Sequence, residues 1–272
     1  MSYDLTATLR ALPPLPVLAQ EILMTVIDDY ADLATLTAKI SREPSIAGRV
    51  VGIANSALFT GMRPVLSIEG AVVRLGLQRV RMLAMSALLA EQFDPRRCPP
   101  FKPARYWYHA ISTANCASRL ARFDPELDPD IAYLAGLLHN IGVLLLANVA
   151  PQPLAEALAE REKAPERPLA ELLRERLNTD HREAGRQLLA SWGLPDQIAA
   201  TAGAGEGAST EPQQRLHRIV QFCAQWTATD YAELPDHDWS LLPPKQLEAL
   251  AERGHAEREQ LQAVARLLAA RD

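Results

Sequence analysis

The segment Tyr133-Leu134-Ala135-Gly136-Leu137-Leu138-His139-Asn140-Ile141-Gly142 is apolar except for one polar pair in its middle. A histidine can ligate a metal, shuttle a proton, or donate from one ring nitrogen while accepting at the other. Judged by periodicity alone, His139 reads as a core residue satisfied by a hydrogen bond. Leu137, Leu138, Ile141 and Leu144 are too apolar to leave His139 and Asn140 in open water, so a buried or semi-buried cleft is expected around the pair. Left without partners there, the two groups would cost about 1–3 kcal/mol. Other chemistry is scarce. Cys98, Cys116 and Cys223 are odd in number and far apart. They give neither a zinc spacing nor a disulfide framework, and reduced thiols are expected. The chain has no Gly-rich phosphate cradle and no aromatic stacking platform of the RNA-binding kind.

The elements that must position the pair are helical. The chain has 272 residues, 48% of them hydrophobic but only 6% aromatic, so Ala and Leu carry the core and both favour helix. No run of period-two alternation bounded by hairpin turns is present, and no internal repeat. Helices are predicted after Pro16, from an Asp32 N-cap, from Pro44 to about Asn55, from a Ser67 cap to Leu75-Gly76, and over 78–92. Gly48 and Gly52 share one face of the third helix, which predicts a close helix contact there. Pro95, Pro99 and Pro100 then break the chain. Further helices are predicted over 103–122, 130–148, 153–164, 168–177 and 180–192, with Asp180 and Glu183 as a capping box. A loop follows over 202–209, then a helix over 216–229 and two more in 244–271.

The expected fold class is therefore all-α, as two packed helical subdomains. The boundaries fall at 1–100, 101–208 and a C-terminal helical extension, 209–272, packing on the second part. No stretch reads as about 18 uninterrupted apolar residues and no secretory leader is recognisable, so a cytoplasmic location with no membrane span is expected. The net charge of −5 argues against nucleic-acid binding, and the cluster Arg74, Arg79 and Arg81 reads as a solvated helix end.

The wording A-G-L-L-H-N-I-G resembles the A-G-L-L-H-D-I-G signature of the HD superfamily of metal-dependent phosphohydrolases. From about Leu12 to Ala202 the chain resembles the HDOD family. The residues that carry this likeness are Leu12-Pro13-Pro14-Leu15-Pro16, Glu43-Pro44-Ser45, Asn55-Ser56-Ala57, Val65-Leu66-Ser67-Ile68 and Arg74-Leu75-Gly76-Leu77. In the second half they are Trp107-Tyr108-His109, the His139 segment, His181-Arg182-Glu183-Ala184-Gly185 and Trp192-Gly193-Leu194-Pro195. The resemblance implies an HD-like helical bundle for the second subdomain. It also implies a metal site made of one histidine, an adjacent His-Asp pair and a distant Asp, because a hard divalent cation wants oxygen ligands and negative charge.

Mapped residue by residue, His109 stands for the first histidine and His139 for that of the pair. Asn140 replaces the pair's aspartate, and Ala224 falls where the distant aspartate belongs. A His-His dipeptide that some members carry is replaced by Thr201-Ala202-Gly203-Ala204-Gly205. His109, His139, Asn140, His181 and Ala224 are thus relict positions, with His109 expected beside His139. No catalytic, metal or cofactor residues are assigned. The expected function is a non-catalytic bacterial signal-transduction module that works through regulatory protein partners in a cyclic-dinucleotide or two-component pathway. One alternative is a residual metal-dependent phosphohydrolase using His109, His139 and His181 as a His₃ zinc site. The other is a nucleotide-sensing pocket, with Arg105, Arg119 and Arg182 as anion contacts.

Overall fold

Prolines and short polar side chains set where the helices begin. A computed structural model describes residues 15–27, 33–56, 64–203, 210–236 and 244–270, and among them every regular element is helical. The expected Asp32 cap, Leu12 to Pro14, Ala57, Ala204 and Gly205 lie outside the described residues.

The first half contains α1 (Val17–Ile27), α2 (Leu33–Ser41), α3 (Pro44–Ala54), α4 (Ile68–Leu75) and α5 (Leu77–Gln92). Residues Met82 to Ala90 of α5 are buried on every face, which marks the central helix of this half. Helices α1, α3 and α4 pack around it. The Ser67 hydroxyl accepts from the Gly70 N–H at 3.1 Å and caps α4, while Gly76, at φ 84°, turns the chain into α5. The Asn55 side chain binds both backbone groups of Val65, each at 2.7 Å, and so pins two distant points of the chain together. Arg74 donates to the Ala54 carbonyl at 3.0 Å and to Asn55 Oδ1 at 3.2 Å. In that basic cluster, then, Arg74 serves as a structural clamp.

A 3₁₀ turn (Pro95–Arg97) follows the first half. The second half then contains α6 (Pro103–Ala121), α7 (Pro129–Leu138), α8 (Ile141–Val149), α9 (Pro151–Lys163), α10 (Leu169–Leu177), α11 (His181–Ser191), α12 (Asp196–Ala202), α13 (Glu211–Ala228) and α14 (Pro244–Ala269). One hydrophobic core runs from Leu15 through Ala202 and takes in Val264, Ala265 and Leu268, so it crosses the proline break without interruption. A smaller core joins Cys116, Leu120, Phe222, Trp226, Tyr231 and Leu247. Helix α14 lies along α6 and also reaches α3 and α5. Arg49 donates to the Leu268 carbonyl at 3.4 Å, and Arg119 pairs with Glu257 at 2.5 Å.

Several sequence expectations are corrected. The helix predicted over 130–148 breaks at His139-Asn140 into α7 and α8. The two helices expected in 244–271 are the single α14, and α13 begins at Glu211 rather than 216. Helix α12 was not anticipated. Asp180 caps α11 through the N–H groups of Arg182 and Glu183, but the Glu183 carboxylate turns to Arg186 and Gln187, so the reciprocal half of the capping box is missing. The run Pro129–Val149 is long and apolar enough to span a membrane, with a mean hydropathy of 1.6 over its most apolar 18-residue window, yet 78% of that window is buried inside the protein, so it serves as core. Gly48 and Gly52 are exposed, and among the described residues a Cβ on either would meet nothing within 4 Å.

The close backbone approaches occur elsewhere. A Cβ on Gly136 would lie 2.7 Å from the Ala114 Cα, and one on Gly142 would lie 1.7 Å from the His181 carbonyl oxygen. Gly142→Ala is therefore expected to destabilise by at least about 3 kcal/mol, since backbone and not a pliable side chain must yield. Gly48→Ala should instead stabilise by about 0.5–1 kcal/mol, the ordinary gain of Ala over Gly in a helix. Chemical denaturation of the two variants checks both signs. An unchanged midpoint for Gly142→Ala would show that the crossing is loose.

Candidate functional site

The break at His139-Asn140 is built by its two flanking glycines. Gly136 lets α7 press its backbone on α6 at Thr113 and Ala114, on the helix that carries His109. Gly142 lets the start of α8 press on the start of α11, where His181 sits. Gly185 completes that crossing, since its own Cβ would meet the Gly142 nitrogen at 3.1 Å. Between these contacts the His139 imidazole donates from Nδ1 to the Gly136 carbonyl at 2.7 Å. That bond satisfies one of the carbonyls a helix leaves free at its C-terminal end. Asn140 is the N-cap of α8 at φ −117° and ψ 19°, and its side chain makes no capping hydrogen bond.

The result is a cluster of half-buried polar groups from separate helices. The His109 and His139 rings lie 5.1 Å apart at 72°, edge to face. His109 donates from Nε2 to the Ala224 carbonyl at 2.9 Å, so α13 meets His109 through its backbone. Both donating nitrogens serve carbonyls, which leaves His109 Nδ1 and His139 Nε2 with lone pairs. His181 Nδ1 is buried and has no hydrogen-bond partner. Burial, followed by the nearby His109, pushes His139 down to about 3. Burial likewise pushes His181 down to about 4; Asp180 opposes this, while Arg182, Arg161 and Arg174 add to it. His109 is lowered by burial and then by Arg105 and Arg161, against the Ala224 hydrogen bond.

Of the residues proposed from sequence, His109, His139, Asn140, His181 and Ala224 gather here. Arg105 sits one turn before His109 and Arg182 directly follows His181. Arg119 does not join them: its guanidinium is held by Glu257 of α14. Arg161 of α9 was missed, because nothing in the local sequence separates it from any exposed helix arginine.

Asn140 offers a neutral amide oxygen and Ala224 a carbonyl already occupied by His109. Among the described residues no group of three or more His, Cys, Asp or Glu side chains is arranged to hold a metal ion. The one buried carboxylate near His181, Asp180, is paired with Arg174 and spent on capping α11. This donor set does not fit the hard divalent ion of an HD phosphohydrolase, which needs carboxylate charge.

These histidines also set an acid sensitivity. Each is neutral in the fold, whereas in the unfolded chain it protonates near pH 6.5. Below that pH the unfolded chain binds more protons, so stability falls as pH falls, down toward the lowered folded values. The melting temperature is expected to drop between pH 7 and about 5, above the main carboxylate range, and to drop less in His139→Gln. Thermal melts across that window test this, and a flat wild-type profile would refute it.

The profile of the HDOD domain family matches residues 12–205. A solved Shewanella amazonensis protein, provisionally named a phosphohydrolase, is 25% identical with a TM-score of 0.71 and 97% of each chain covered. A Marinobacter aquaeolei protein, provisionally named a signal transduction protein, is 27% identical with a TM-score of 0.82, covering 99% of this chain and 62% of its own. An HDOD domain protein of unknown function from Geobacter sulfurreducens, 20% identical with a TM-score of 0.71 and covering 94% of this chain and 93% of its own, shares the fold. A curated Treponema pallidum protein without an assigned function is 29% identical over 201 residues, which is 70% of this chain and 36% of that protein, so the chain spans about a third of that relative's length. With a family match across more than two-thirds of its length and the same all-helical fold, this chain belongs to the HDOD domain family.

Proposed function

We propose that this chain is a non-catalytic bacterial regulatory module, acting in the cytoplasm through protein partners in a cyclic-dinucleotide or two-component pathway. The observation that carries this reading is the backbone carbonyl of Ala224 at His109, with Asn140 beside His139, where a metallohydrolase needs two carboxylates. Two ionised carboxylates would supply a formal charge of about −2 at neutral pH; this site supplies none. Without them a divalent ion is better served by water, and no group remains to orient a metal-bound hydroxide. Membership of the HDOD family and likeness to a protein named for signal transduction support a regulatory role.

The rival reading is a residual hydrolase that carries zinc on His109, His139 and His181. It asks those rings to turn lone pairs to one point while His109 Nε2 and His139 Nδ1 stay committed to carbonyls. Protein purified without a metal-chelating column is expected to hold well under one zinc, iron or manganese per chain and to leave phosphoesters intact. A ratio near one that disappears in His139→Ala, measured by elemental analysis, would replace this reading with the hydrolase.

A further inference from the structure

We propose that the histidine cluster binds a phosphate-bearing anion through Arg105, Arg161 and Arg182, with no metal between ligand and protein. The proposal deepens the non-catalytic reading and rests on it, since it puts fixed guanidinium charge where the family site puts a metal.

Arg105 and His109 are four residues apart on α6 and so share a helix face. Arg182 follows His181 in the first turn of α11. Arg161 lies one turn beyond the buried Ala157 and two turns beyond the buried Leu154 on α9, in its last turn, and its charge is felt at both His109 and His181. The three arginines therefore come from three different helices, and α9 packs on α8, the helix that Asn140 caps. All three are exposed, and among the described residues none has a carboxylate partner. Arg119, Arg167, Arg176, Arg186 and Arg215 are each held by Glu or Asp.

The cluster also leaves polar groups that an anion would use. His181 Nδ1 is buried without a partner, and the Asn140 side chain makes no capping bond at α8. Asp180 is no competitor, because Arg174 and two backbone N–H groups already engage it. Three guanidinium groups call for more than one negative charge. A carboxylate brings one, whereas a phosphoryl group brings about −1.5 to −2 at pH 7, with oxygens that match the guanidinium fork. A free diphosphate and a nucleoside diphosphate share that chemistry.

Calorimetric titration of the full 272-residue chain with inorganic pyrophosphate, in buffer stripped of divalent metals, tests this. One saturable site is expected. Arg161→Gln with Arg182→Gln should weaken it at least ten-fold, and Arg266→Gln on α14 should not change it. Circular dichroism and melting temperature check that each variant is folded, and Arg105→Gln alone repeats the test should the double variant unfold. A parallel ADP titration distinguishes the two sources: equal affinity assigns the site to the diphosphate itself, tighter ADP binding to a nucleoside-linked one. Absence of saturable binding by either probe, or binding undiminished in the folded arginine variants, overturns the proposal. Release of phosphate from pyrophosphate would instead overturn the non-catalytic reading and leave the anion site standing.

Discussion

Everything at the candidate site depends on two places where backbone meets backbone. At Gly136 the chain lies against Thr113 and Ala114 of α6, and at Gly142 it lies against the His181 carbonyl at the start of α11. A Cβ at either position would intrude on peptide atoms that cannot rotate away. These contacts hold α7 and α8 from opposite sides of a two-residue break, and the break is where His139 and Asn140 stand. His109 comes to the cluster with α6 and His181 with α11, so the glycines place all three imidazoles. The expense of glycine in a helix, about 1 kcal/mol relative to Ala, is offset by packing that no larger residue permits.

That arrangement explains which parts of the molecule were legible from sequence. The α-only class, the helix starts at Pro44, Pro103 and Asp180, and the stop at Gly76 follow from local chemistry, because capping and proline act within one turn. The break at His139-Asn140 was hidden. Neither residue is a strong helix breaker, and the apolar periodicity continues through it; the helix is broken by a tertiary contact, which no local pattern records. The same reason accounts for Gly48 and Gly52. Their spacing looks like a packing face, yet whether another helix comes to that face depends on topology, and among the described residues none does. Arg161 was invisible for a parallel reason. It belongs to the cluster by the placement of α9, while its neighbours in sequence are those of any solvated helix end.

The C-terminal helix adds a constraint that the match over residues 12–205 does not cover. Helix α14 packs along α6, meets Tyr231 so closely at Gly254 that a Cβ would lie 2.2 Å from the ring, and ends against α3, where Arg49 binds the Leu268 carbonyl. It thus ties the first half to the helix that carries His109. Glu257 of the same helix takes the charge of Arg119, and Asp230 takes Arg258 and the Tyr108 hydroxyl. Tyr108 is the residue next to His109, so the register of α6 is fixed from the far side of the bundle.

Electrostatics separates the proposed module from a hydrolase built on the same helices. In the metal-bearing arrangement carboxylates and cation neutralise one another, and imidazoles complete the coordination. In the proposed reading, with Asn140 and Ala224 in place of the acids, the histidines are left without a carboxylate to hold a proton or a cation. Burial is the largest cause of their lowered proton affinity; arginines add to it at His109 and His181, and the other two histidines add to it at His139. As proposed, a site of neutral rings edged by guanidinium groups repels cations, which water solvates better than its ligands would. Its remaining unsatisfied charge is positive. In the proposed reading, two missing carboxylates therefore do more than remove a catalyst: they turn the cleft toward anions, while the glycine crossings that shape it stay in place.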